Sequence, residues 1–267
     1  MIPKKIHFVF GLKKDQGGKG FSYFHYLNIL SALNVNKDYE INFYYQYEPS
    51  SKWFNKLKEH NINFIKLDNI TEEVDGIAFK NYAHKADYLR MCLLEKYGGI
   101  YLDIDNICIK PFDDFLNLKF VIGIECVNNI VWGLPNFTFL SEPNNSFLSN
   151  WKEEYGKYYS EWSDDWAFGA VKLPYILYQK NIENITTVTP EFFSYYGWDD
   201  ASLYHMFKNV GPIGPSYSIH LWESRWWHEI IEVVNDRNKL NNDCTLTRLY
   251  KKYALGDSSI EFPEYWS

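Results

Sequence analysis

Apolar and polar positions in this chain follow two spacings, every second residue and every third to fourth, and the switches between them lay out an order of elements. IPKKIHFVF (2–10), closed by Gly11, predicts a first strand. The loop DQGGKG (15–20) follows, and Tyr23, Tyr26, Leu27 and Leu30 predict a helix over 22–34. INFYYQY (41–47), SKWFNKLKEH (51–60) and INFIKL (62–67) read as strand, helix and strand. A second long helix, 81–97, takes its apolar face from Ala83, Ala86, Leu89, Leu93 and Leu94. Gly98 and Gly99 predict its end, because a left-handed C-cap favours glycine.

IYLDID (100–105) and KFVIGIEC (119–126) predict further strands. Beyond residue 130 the pattern loosens, with helices expected near 146–159, 166–180, 226–235 and 243–254 and a short strand at 185–188. Strands that alternate with helices predict an α/β fold, a mainly parallel, Rossmann-like sheet flanked by crossover helices. No linker, repeat or low-complexity tract divides the chain, so residues 1–267 read as one domain, whose looser second half reads as the part that shapes specificity.

Composition narrows the function. A net charge of −7 disfavours nucleic acid as a partner and requires a local cation for any phosphate-bearing ligand. The N-terminal apolar run is too short for a signal-peptide core, and no stretch approaches the ~20 apolar residues of a membrane span. Cys92, Cys108, Cys126 and Cys244 lie far apart and read as reduced, buried thiols of a cytosolic protein. The 10 Trp, 22 Tyr and 19 Phe suit carbohydrate faces and an aromatic core alike.

The chemistry concentrates in KADYLRMCLLEKYGGIYLDID (85–105). On a strand, Asp103 and Asp105 share one face. Two carboxylates held together repel, and a hard divalent cation such as Mg²⁺ or Mn²⁺ relieves the repulsion while keeping positions open for phosphate oxygens. Ligands of such sheets bind beyond the carboxyl ends of strands, where this pair would lie. Asp87 and Arg90, three residues apart on the preceding helix, read either as a surface ion pair or as groups carried toward the sheet mouth.

The 85–105 stretch, together with IPKKIHFVFG at the start and IHLWESRWW (219–227) near the end, resembles the DXD-containing sugar transferases of glycosyltransferase family 32, including bacterial capsule and lipopolysaccharide enzymes. It is more distantly similar to the glucosyltransferase domains of clostridial toxins. The resemblance implies a GT-A fold of the nucleotide-diphospho-sugar transferase type, with a nucleotide-sugar-binding half (1–126) and an acceptor-binding half with C-terminal helices (127–267), a nucleotide-diphosphate sugar as donor, and Mn²⁺ or Mg²⁺ as cofactor. It implies that Asp87 and Arg90 hold the donor sugar, that Asp103 faces ribose and metal, and that Asp105 ligates the metal with His220 as third ligand. His7, Phe8 and Phe10 would hold the base, with Phe10 where the family has Trp; Tyr101, Ser224 and Trp226 complete the nucleotide-binding set. Leu221 replaces a common second His, and Glu223-Ser224-Arg225 replaces small residues, so the register of Ser224 and Trp226 is open by one.

The implied reaction is retaining hexosyl or N-acetylhexosaminyl transfer from a donor, UDP-linked by expectation, to a glycan or lipid-linked glycan in surface polysaccharide synthesis. It would take place in the cytoplasm, with peripheral association at the inner membrane face. Asp164, Asp165, Trp166, Trp198, Asp199 and Asp200 are candidates for acceptor contacts, or ordinary loop acids and packing aromatics. Two other classes stay open: YLDIDNI also has haloacid-dehalogenase-type phosphatase spacing with Asp103 as nucleophile, and the aromatic content allows a non-catalytic carbohydrate-binding protein.

Overall fold

The computed structural model describes residues 1–14, 18–127, 130–180, 183–235 and 240–264, and the loop expected at 15–20 lies partly outside them. Strands β1 (Lys5–Val9), β2 (Glu40–Tyr45) and β3 (Asn63–Lys66) alternate with helices α1 (Tyr23–Val35) and α2 (Lys52–Leu57). A small hairpin, β4 (Glu73–Val74) and β5 (Ile77–Ala78), precedes α3 (Tyr82–Tyr97), which leads into β6 (Gly99–Leu102) and β7 (Asn106–Cys108). The strands β8 (Phe120–Gly123), β9 (Glu125–Val127), β10 (Ile130–Gly133) and β11 (Thr138–Ser141) follow. Helices α4 (Ser146–Lys157), α5 (Tyr159–Trp162) and α6 (Leu173–Lys180) lead to β12 (Thr186–Val188). The chain closes with α7 (Pro190–Phe193), α8 (Asp200–Phe207), β13 (Ser218–His220), α9 (Glu223–Val233) and α10 (Thr245–Leu249).

Seven strands form the central sheet in the order β12-β8-β11-β6-β1-β2-β3. It is mostly parallel, as expected, except that β11 runs antiparallel to both β6 and β8. Both faces are covered, so side chains that alternate along a strand enter two cores. On β6, Ile100 and Leu102 join Phe24, Leu27 and Phe43 under α1, while Tyr101 enters the other core with Leu94, Phe139 and Trp151 under α3 and α4. Trp151 is fully buried, and its Nε1–H donates to the Gly169 carbonyl at 3.0 Å.

Several boundaries differ from expectation for local reasons. The strand expected over 100–105 ends at Leu102. Asn106 draws residues 103–105 into a turn, its side chain donating to the Asp103 and Phe137 carbonyls at 3.3 and 3.2 Å. Residues 119–126 split at Ile124, whose N–H turns to the Val188 carbonyl at 2.8 Å. The helix expected from 51 to 60 stops at Leu57, where tight turns at Glu59 and His60 replace it. The 166–180 helix opens as a π-helix over Phe168–Lys172. All four cysteines are free thiols; Cys108 and Cys244 are buried, but Cys126 is exposed because it points outward from β9 where its neighbour Glu125 points in.

The Gly98-Gly99 ending of α3 is as expected, with φ of 61° and 106°. A Cβ on Gly99 would also lie 2.6 Å from the Lys5 carbonyl oxygen, so this glycine permits β6 to close against β1. Among the described residues no helix is long and apolar enough to cross a membrane.

Candidate active site

A cleft of about 560 Å³ opens along the C-terminal ends of β1 and β6. Asp103 and Asp105 sit on its floor, in the turn after β6 rather than on a strand. The Asp103 N–H donates to the Phe137 carbonyl at 2.8 Å, and Asn28, itself held by the Tyr250 hydroxyl at 2.8 Å, donates to the Ile104 carbonyl at 2.9 Å. The turn is therefore fixed from both sides.

His220 reaches the acids through the β7–β13 pair, in which it stands opposite Asn106. Its Nε2 lies 3.2 Å from Asp105 and 3.9 Å from Asp103, and its ring stacks on Phe137 at 4.3 Å. Just beyond, Trp222 adopts a left-handed φ of 55°. Around that kink the Leu221 N–H donates to the Asp105 carbonyl at 3.0 Å and the Glu223 N–H to its carboxylate at 2.7 Å. The strained residue thus points two backbone donors at one aspartate.

One ligand atom each from Asp103, Asp105 and His220 lies within 4.8 Å of the others. Two buried carboxylates and an imidazole form a hard-to-intermediate donor set that fits Mg²⁺ or Mn²⁺. Burial opposes the Asp105 charge, but His220 and the Glu223 N–H outweigh it and hold the carboxyl down at about 2. Asp103 moves upward, because burial and the Asp105 charge outweigh Arg90. His220 is raised: burial works against its proton, and the carboxylates prevail.

α3 brings the sugar-side candidates inward. Arg90 lies 3.0 Å from Asp103 and 3.4 Å from Asp87, with its guanidinium 4.4 Å from the centre of the Tyr101 ring. The Tyr101 hydroxyl donates to Asp103 at 2.9 Å. Asn136, which the sequence reading missed inside an apparent loop, completes the cluster. It accepts from Arg90 at 2.9 Å on its carbonyl and 3.0 Å on its side chain, and donates to Asp87 at 3.0 Å. Burial pushes the Asp87 carboxyl up, against the pull of Arg90 and Asn136.

The base-side candidates separate. Phe10 lines the cleft. His7 and Phe8 do not meet it: Phe8 is fully buried in the core, and His7 hydrogen-bonds the Gly98 carbonyl at 2.9 Å and the Tyr44 hydroxyl at 3.2 Å. The resemblance grouped them with Phe10, but alternation turns His7 to the opposite face of β1, against Gly98, and the core under α1 covers Phe8. Ser224 lines the cleft, whereas Trp226 is buried in the core and Trp222 takes the cleft-facing position.

Of the loop candidates, Trp166 faces the cleft. Asp164 pairs with Lys80 at 2.8 Å, Asp165 with Lys172 at 2.7 Å, and Asp199 caps α8. Glu125 also lines the cleft, and its only sequence signal was one acid inside an apolar run.

A mostly parallel sheet with an Asp-x-Asp turn, a distant histidine and an open cleft at its carboxyl edge defines the GT-A fold of glycosyltransferases. Residues 23–121 match the family model described as "Glycosyltransferase sugar-binding region containing DXD motif". The chain is 30% identical over 240 residues to "Glucan organizing enzyme 1" of Cryptococcus neoformans var. grubii, covering 84% of this chain and 63% of that protein. It is 27% identical to human "Alpha-1,4-N-acetylglucosaminyltransferase", covering 68% of this chain and 53% of that one. The chain thus spans less than two thirds of either relative. The solved structure of "PaToxG Glycosyltransferase" superposes with a TM-score of 0.53 at 18% identity, over 98% of this chain and 81% of that chain. These likenesses agree on the glycosyltransferases and do not favour the phosphatase or binding-module readings.

Proposed function

We propose that the protein is a metal-dependent glycosyltransferase of family 32 type, which moves a hexose or N-acetylhexosamine from a UDP-sugar to a glycan hydroxyl with retention. The observation that carries this is the convergence of Asp103, Asp105 and His220, within 4.8 Å, at the floor of the cleft that Asp87 and Arg90 also line. Asp103, Asp105 and His220 would hold the divalent cation, which supplies charge neutralisation for a diphosphate leaving group. Arg90 and Asp87, locked by Asn136, present fixed donors and acceptors to the sugar hydroxyls, and such preorganisation costs nothing at the moment of reaction. Phe10 offers a ring to the base, and Ser224 a hydroxyl near the diphosphate. The curated relatives' names, a glucan enzyme and an N-acetylglucosaminyltransferase, support a glycan acceptor, as in surface polysaccharide synthesis. We place the reaction in the cytoplasm, with peripheral association at the inner membrane face.

The test is a thermal-shift panel of UDP, GDP and CMP with and without Mn²⁺. UDP is expected to stabilise the fold only with Mn²⁺, by about 2.7 kcal/mol at a hundredfold excess over Kd. Asp105→Asn is expected to abolish both this response and transfer while keeping wild-type circular dichroism. A wild-type protein indifferent to all three nucleotides overturns the reading.

A further inference from the structure

The cleft has a second wall that the donor side leaves unused. Glu125 begins β9 with its side chain turned inward, only 6% exposed. Trp198 Nε1 donates to its Oε1 at 3.1 Å, which sets the plane of the carboxylate while the residue lines the cleft. Burial raises the carboxyl, opposed by Trp198 and by His220, so Glu125 feels the metal-site histidine electrostatically without belonging to that cluster.

The same hairpin supplies aromatic surface. Trp132 on β10 has its ring centre 6.3 Å from that of Trp166, which lines the cleft yet is 68% exposed. An indole so exposed gains little from packing, and exposed apolar surface beside a cleft marks a binding site more often than a core defect. The support beneath it is rigid. Leu134 N–H donates to the Val171 carbonyl at 3.0 Å, and Gly133 approaches so closely that a Cβ would lie 2.5 Å from Val171. Val171 belongs to the π-helix that starts two residues after Trp166, and π-turns of this kind recur at functional sites.

We propose that this wall is the acceptor subsite: Glu125 accepts hydrogen bonds from hydroxyls of an incoming glycan, and the Trp166–Trp132 edge carries a sugar face. The inference rests on the transfer reading above. It assigns the acceptor to the β9–β10 side of the metal cluster and the donor sugar to the α3 side. A carboxylate fixed by an indole N–H discriminates hydroxyl-bearing ligands, because a ligand that lacks the hydroxyl leaves the acid unpaired.

The experiment measures binding of an array of defined oligosaccharides, including lactose-ended and β-glucan-ended chains, with the donor site filled by UDP and Mn²⁺. Glu125→Gln keeps an oxygen for Trp198, and Trp166→Ala alters an exposed side chain, so both variants are expected to fold. Each should weaken binding of whichever glycan the wild type selects by at least tenfold, with unchanged thermal stabilisation by UDP–Mn²⁺. Unchanged glycan binding in both variants overturns the proposal, as does a wild type that responds to UDP–Mn²⁺ but binds no glycan. If Trp166→Ala instead releases the protein from phosphatidylglycerol vesicles and leaves glycan binding intact, the rim is a membrane contact and the proposal fails. Loss of the nucleotide response in the wild type would count against the transfer reading itself.

Discussion

Asn136 shows how much one uncharged side chain settles at this site. It joins Asp87 to Arg90 through three hydrogen bonds, all buried. Asn136→Ala leaves the Arg90 contact to its backbone carbonyl but takes the amide hydrogen bond from Asp87, which keeps its 3.4 Å pairing with Arg90, and removes one Arg90 partner, an expected loss of about 1–3 kcal/mol. Urea unfolding checks the stability, and comparing UDP with UDP-sugar binding checks the role: the variant should keep UDP affinity and lose the increment due to the sugar. At this scale the acids and Arg90 were legible, because they lie within 21 consecutive residues whose pattern locates both helix and strand end. Asn136 and Glu125 were not, since a polar residue in a loop or a lone acid in an apolar run acquires meaning only from what lies across the cleft.

Among the elements, α3 and the β7–β13 pair divide the work of assembly. α3 is capped by Asn81, whose side chain accepts the His84 N–H at 2.9 Å and satisfies a donor that the helix cannot. Asn81→Ala is expected to cost about 1 kcal/mol, read as a lower urea midpoint at unchanged slope, and Asn81→Gly only a few tenths. A full-sized loss in the glycine variant would show that the side chain acts by something other than capping. The helix and its glycine stop were readable because 3.6-residue spacing and C-cap sterics are local. β11 and β13 escaped notice: strands of three or four residues carry too little alternation, and their pairing partners supply the stability. The aspartate turn was read as a continuing strand for the complementary reason. IYLDID has strand periodicity to its end, but Asn106 and the Phe137 carbonyl claim the backbone there.

For the molecule as a whole, the two cores on either side of the sheet make burial of polar groups a property of the entire fold. His7 illustrates this at 1% exposure, where burial, assisted by Lys5 and resisted by the Gly98 carbonyl, pushes the imidazole down to about 4. In the unfolded chain it titrates near 6.5, so between pH 6.5 and about 4 the unfolded state binds the proton and the folded state does not. The contribution of neutral His7 is complete above pH 6.5 and shrinks as pH falls, by about 3 kcal/mol when pH 4 is reached. Urea unfolding at pH 7, 5 and 4 should show this fall, and His7→Gln, which retains an N–H for Gly98, should lack that part of it; equal acid slopes would refute the assignment.

The amino-acid order alone determined the βα alternation, the α3 face, the Gly98-Gly99 reversal and the closeness of Asp103 to Asp105, because each depends on interactions a few residues long. Only the tertiary structure decided that His220 meets those acids, since a β-ladder must close a loop of more than a hundred residues to bring it there. It likewise decided that Trp222 rather than Trp226 faces the cleft: one left-handed residue turns the chain to satisfy Asp105, and no periodicity records where such a kink falls. The separation of Phe10 from His7 and Phe8 has the same origin, for Phe10 follows the last residue of β1 and extends past the sheet that buries the other two.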